Sequence, residues 1–153
     1  MAKNKPIYME STEIEAERTA AEVSMVLVQA GATSVSIRYD TGKIIGMSWT
    51  MRIGQNELPF AMPARVKPVY ELLKSRRSGS GWLDDATKAR ILAQAERVAW
   101  RQLLRWVQAQ LAMIEVGMAQ RAEVFMQYIQ QADGTTLYEW FEQKQLALPA
   151  GKS

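Results

Sequence analysis

The sequence predicts an α+β domain: an N-terminal helix, a three-stranded antiparallel meander sheet, then a long helix and short C-terminal helices. Three observations carry this. Apolar residues recur at helical spacing before Gly31, alternate with a period of two between Val35 and Met62, and return to helical spacing after Lys67. Asp40-Thr41-Gly42-Lys43 and Gly54-Gln55-Asn56 supply turn chemistry between consecutive strands. The 153 residues, 48% hydrophobic, suit one domain with one core. That domain is expected over residues 11–148, between a flexible arm (1–10) and a frayed tail (149–153).

Each element has its own signal. Thr12-Glu13-Ile14-Glu15 fits a capping box and predicts a first helix over 13–30, closed by Gly31. Ile14, Ala21, Met25 and Val28 fall on one face of it, the expected core stripe. Val35, Ile37 and Tyr39 alternate with Ser34, Ser36 and Arg38 in the first strand. Ile45, Met47, Trp49, Met51 and Ile53 alternate with Ile44, Gly46, Ser48, Thr50 and Arg52 in the second. Leu58, Phe60 and Met62 alternate again, but Pro59 and Pro63 remove ladder donors and confine this third strand to an edge.

A helix is expected from Lys67 or Pro68 to about Arg76, with Val69, Leu72 and Leu73 as its stripe. A Gly/Ser loop follows. Asp84 or Asp85 can then cap a long helix reaching about Val116. Its stripe of Leu92, Ala95 or Ala99, Leu103, Val107, Leu111, Ile114 and Met118 is widened by Trp100, Leu104 and Trp106. So broad an apolar arc calls for cover on more than one side, from two elements or from another subunit. Val124 to Ile129 suggest a further helical piece, and Thr135 or Thr136 can cap a short helix with Leu137, Tyr138, Trp140 and Phe141.

Composition narrows the chemistry. The chain has no histidine and no cysteine, which removes the usual structural zinc sites, thiol nucleophiles and the Ser-His-Asp triad, and with them a disulfide framework. Carboxylate–magnesium chemistry stays open, but Asp84-Asp85 reads as capping. Glu142-Gln143-Lys144 has the spacing of part of a nuclease motif without the strand and aspartate that should precede it. No phosphate-binding glycine loop is present. A non-catalytic protein without cofactor or metal is the expectation. The N-terminus is charged like the start of a leader but lacks its apolar stretch, and the most apolar segment, 98–118, carries Arg101, Arg105 and Glu115. No membrane span is therefore expected, and a cytoplasmic location is the simplest reading.

Charge is unevenly placed. Between Pro63 and Arg105 ten basic residues stand against four acidic ones, a local excess of +6 in a chain of +3. Such a concentration is the electrostatic footprint of a polyanion-binding surface. Arg90, Arg97, Arg101 and Arg105 line one helix face, with Lys88 nearby and Arg76-Arg77 on the preceding loop. Arginine's planar fork pairs with phosphate better than an ammonium does. Arg38 and Arg52, among serines and threonines on the polar face of the sheet, could track a phosphate backbone. Trp82, beside the Gly/Ser loop and the basic cluster, is placed to stack on a base. The plain alternatives are a solvated helix face, a solvated sheet face and a tryptophan packed back on the core.

Arg97-Val98-Ala99-Trp100-Arg101, Trp106 through Glu115, Glu123-Val124-Phe125 and Glu57 through Pro63 together resemble small uncharacterised proteins of phages and prophages, a family that implies no established chemistry. A three-stranded meander followed by a long helix is, more loosely, similar to the core of phage single-strand annealing proteins (the Redβ/RecT and Erf groups). That resemblance implies an oligomer holding single-stranded DNA in a basic groove, in the bacterial host cytoplasm, for recombination or replication. The main alternative is a protein-interaction module, an inhibitor of a host defence or an assembly factor, using the apolar helix and the Leu58–Met62 edge. A small metal-dependent nuclease is a third.

Overall fold

The computed structural model describes residues 5–78 and 81–144. Its elements run α1 (Ala16–Gln29), β1 (Ala32–Asp40), β2 (Lys43–Ile53), β3 (Asn56–Pro63), α2 (Val66–Ser78), α3 (Asp85–Glu115), α4 (Arg121–Phe125), a 3-10 turn (Met126–Tyr128) and α5 (Leu137–Gln143). The three strands form an antiparallel sheet in the order β1-β2-β3. This is the α+β architecture read from the sequence. α3 lies between α1 and α2, and α1 packs over β1 and β2. Two helices of the same chain therefore flank the broad apolar arc of α3.

The core is aromatic at its centre. Trp49 of β2 stacks on Phe60 of β3 with ring centroids 5.3 Å apart, and Phe125 of α4 meets both edge-on at 5.7 and 6.4 Å. All three are buried, together with Met47, Met51, Met62, Trp100, Leu104 and Val107. Edge-to-face contacts align the positive rim of one ring with the negative face of another. The short helix α4 is held by this insertion of Phe125 between sheet and α3.

Several local expectations are corrected. The predicted core stripe of α1 points outward: Ala21 is exposed, and Met25 and Val28 are 64% and 57% exposed. The buried face is Ala16, Thr19, Ala20, Val23 and Leu27. Two apolar stripes share this helix, and neighbouring elements decide which is covered. Thr12 is not the N-cap. Its hydroxyl accepts from the Ile14 amide at 3.3 Å, and α1 begins after Glu15, whose side chain makes no cap bond. In β2 the alternation breaks once. Arg38 pairs with Gly46 and Tyr39 with Ile44, so Ile45 is an extra residue in the ladder. The bulge exposes Ile45 and buries Ile44, reversing the expected sides. At Gly46, a Cβ would lie 2.5 Å from the Met62 carbonyl oxygen, so the bulge brings two backbones too close for any side chain.

Of the remaining expectations some hold and some do not. Thr41 and Gly42 both have positive φ, 46° and 80°, the conformation of a two-residue hairpin turn matched to strand twist. Asp84 caps α3, its carboxylate accepting from the Thr87 amide at 2.9 Å, and Thr136 caps α5. On α3 the buried residues are Ile91, Ala95, Val98, Ala99, Trp100, Arg101, Leu104 and Val107, while Met118 lies beyond the helix and is 72% exposed. The N-terminal arm is tied down where it is described. Gln94 donates to the Glu10 and Thr12 carbonyls at 2.8 Å, Gln102 to the Tyr8 carbonyl at 2.9 Å and Arg76 to the Lys5 carbonyl at 2.8 Å. The expected tail at 149–153 lies outside the described residues. Among the described residues no helix is long and apolar enough to cross a membrane.

Candidate nucleic-acid interface

α3 and α2 each bring arginines to the same end of the molecule. α2 ends with Arg76 and Arg77, and α3 carries Arg90 in its second turn. These three guanidinium groups border a cleft of about 470 Å³ between the helices, floored by Leu73 and Ile91 and completed by Gln94 and Glu10. Arg76 is the most constrained. It reaches Glu10 at 3.7 Å as well as the Lys5 carbonyl, with a quarter of its side chain exposed. Arg77 is exposed. Arg90 is exposed and, among the described residues, donates only to the Thr87 hydroxyl, at 3.3 Å on its own helix. Lys88 is half-buried on the same turn of α3.

Trp82 stands in the connection between α2 and α3 and is 85% exposed, the most exposed of the large hydrophobic residues described. It does not pack back on the core, so the loop-anchor alternative is removed. Beside it, Asp84 is held below the usual aspartate range by the hydroxyl and then the amide of Thr87, with Arg90 adding a smaller pull. The carboxylate at the α3 N-terminus thus stays ionised and part of the positive field is offset there.

The rest of the arginine face behaves differently. Arg97 pairs with Glu15 at 3.0 Å through both Nε and Nη2 and donates to Gln94. Arg101 is buried, donating to Glu22 at 3.2 Å and to the Thr19 hydroxyl at 3.4 Å. Both clamp α1 to α3. Their geometry takes Arg101 out of reach of a ligand and leaves Arg97 a carboxylate to displace first. Arg105 is exposed and, among the described residues, bonded only to Gln108, a turn further along. The four residues keep helical spacing, but α1 covers only the part of the row that carries Arg97 and Arg101.

On the outer face of the sheet Arg38 and Arg52 are both exposed but far apart. Six residues of ladder separate their positions, about 20 Å. The hydroxyls between them bond to one another: Thr50 Oγ1 lies 2.6 Å from Thr33 Oγ1 and 2.7 Å from Ser34 Oγ, and Thr33 also donates to Glu57. A carboxylate among satisfied hydroxyls is a poor phosphate track, so this face contributes little beyond its two ends. Sequence reasoning missed Glu57, Glu15 and Glu22. The last two stand at the N-cap of α1 and seven residues further on, while their partners Arg97 and Arg101 stand four apart, so no matched spacing marked them in the sequence.

The Leu58–Met62 edge named for the interaction alternative is not wholly open. The outer edge of β3 is partly covered, because the Gln130 amide donates to the Pro59 carbonyl at 2.8 Å and Ile129 bridges to Phe60. An apolar depression of about 420 Å³ lies instead on the C-terminal helices, lined by Met126, Leu137, Tyr138, Trp140 and Phe141. Among the described residues no group of three or more acidic side chains converges as a metal site would require.

No family model, no curated protein and no solved structure matches this chain.

Proposed function

We propose that this chain is a non-catalytic nucleic-acid-binding protein that holds single-stranded DNA at the α2–α3 end and works as an oligomer of itself. The observation that carries this reading is the convergence of Arg76, Arg77 and Arg90 around one cleft, in helices whose connection presents Trp82 at 85% exposure. Guanidinium groups with few competing carboxylates suit phosphates, and an exposed indole gives an unpaired base a stacking surface. The apolar floor of Leu73 and Ile91 can take sugar or base edges without an unpaired polar group. A role in annealing or protecting single strands, as in a phage recombination or replication system, follows from that chemistry and from the resemblance noted above.

The test is an anisotropy titration with labelled single- and double-stranded oligonucleotides over a salt series. Tighter binding to the single strand is expected, with affinity falling steeply as salt rises and tryptophan emission quenched on binding. Absence of binding at about 50 mM salt, where phosphate contacts are strongest, overturns the reading. A second reading, a protein-interaction module, is favoured by one observation: Tyr138, Trp140 and Phe141 leave a contiguous aromatic surface 38–45% exposed beside Met126.

A further inference from the structure

β1 is an edge strand, paired with β2 on one side and with no strand on the other among the described residues. Edge strands usually carry lysine, proline or another device against pairing. From Ser34 to Tyr39 this one carries none but Arg38. Its pairing with β2 shifts register at Thr33 and again between Arg38 and Tyr39, leaving a regular run from Ser34 to Arg38.

α1, which packs against this strand, adds an exposed apolar stripe. Glu15, Thr19 and Glu22 turn one flank of α1 toward α3. At 100° per residue, Ala21 and Val28 lie roughly 130–150° around the axis from that flank, on the side away from α3, with Met25 beside them. All three are exposed. Between Ala21 and Gln29 the only charged residue is Glu22, and it faces Arg101. The stripe is about 10 Å long, the length of three strand residues. An uncharged helix flank therefore accompanies a strand edge whose one charge between Ser34 and Tyr39 is Arg38.

We infer that this composite edge, β1 with the Ala21–Met25–Val28 stripe of α1, binds a second copy of the same chain about a two-fold axis, joining the two sheets into one of six strands. The inference rests on the oligomeric part of the proposed function and not on the nucleic acid. A second copy fits because antiparallel pairing of an edge with itself is self-complementary and brings the two α1 stripes together in the same operation. Charge selects the register. Pairing about Ser36 sets Ile37 against Val35 of the second copy on the covered face, and Arg38 against its Ser34 on the outer face. Pairing about Arg38 would oppose two guanidinium groups, which is destabilising. Pairing about Ile37 would put them on adjacent diagonals.

The chain has no cysteine, so Ser36→Cys introduces a single thiol, at an exposed position of the outer sheet face. Sedimentation equilibrium of the natural chain should give twice 17.3 kDa, and the Ser36→Cys chain should form a disulfide-linked dimer on mild oxidation. Val28→Arg, at an exposed position that the core does not use, should reduce the mass to that of one chain with an unchanged circular dichroism spectrum. A natural chain that stays monomeric across the micromolar range overturns both the interface and the oligomeric reading. A dimer in which Ser36→Cys fails to cross-link and Val28→Arg leaves the mass unchanged overturns this interface and leaves the oligomeric reading standing. Loss of oligonucleotide binding alone bears only on the nucleic-acid reading.

Discussion

The first turns of α3 and its middle carry the same residue type at regular spacing, yet the two regions put it to opposite uses. Arg90, with Arg76 and Arg77 of α2, borders an open cleft. Arg97 and Arg101, two and three turns on, reach across to Glu15 and Glu22 and hold α1 against α3. Burial separates the cases. Arg101 keeps 7% of its side-chain surface, a state tolerable only because carboxylate and hydroxyl partners accompany it. An arginine row on a helix is thus no measure of a binding face until the neighbouring carboxylates are placed.

The largest effect that can break this contrast is in the buried pair. Glu22→Gln leaves the Arg101 guanidinium without a carboxylate. It should cost about 2–3 kcal/mol in urea unfolding, less than for a fully buried pair because Glu22 is 38% exposed. Oligonucleotide affinity of the folded variant should not change. A cost under about 0.5 kcal/mol would place Arg101 with ordinary surface pairs and erase the distinction.

Next comes the open end. Trp82→Ala should weaken single-strand binding by about 1–2 kcal/mol, the loss of one stacked base, without moving the unfolding midpoint, because Trp82 touches no core. Equal loss on duplex and single strand would show that Trp82 does not stack. Arg77→Gln and Arg90→Gln should each lower the slope of log affinity against log salt by about 1. The same change at Arg101 should leave the slope alone and register in stability instead.

The smallest effect sharpens the comparison from outside α3's arginine face. Lys43 and Glu96 meet at 2.7 Å between the β1–β2 hairpin and α3, with Lys43 61% exposed. Lys43→Ala should cost no more than about 0.5 kcal/mol, and raised salt should remove even that. Set against Glu22→Gln, it measures how much burial alone adds to an ion pair on the same helix.

The elements were legible because their signals are local. The caps Asp84 and Thr136, the Thr41-Gly42 turn and the proline-marked edge strand each act through bonds within a few residues. Where a signal allowed two answers, distant parts of the chain chose. Ala21-Met25-Val28 and Ala16-Ala20-Val23-Leu27 are both apolar stripes of α1, and only the position of the sheet and α3 buries the second. The Ile45 bulge was invisible for the same reason, since the register belongs to the pairing with β1 and not to β2.

The candidate site divides along the same line. Sequence alone determined that basic charge gathers between Pro63 and Arg105, that Trp82 lies beside it, and that histidine and cysteine chemistry is absent, because composition and spacing are properties of the chain itself. Tertiary structure decided which of those charges face solvent. Glu15 and Glu22 lie more than eighty and almost eighty residues before their arginine partners, and no local rule links them. Packing α1 beside α3 neutralises Arg97 and Arg101, while α2 and α3 close on Leu73 and Ile91 and leave Arg77, Arg90 and Trp82 in the open.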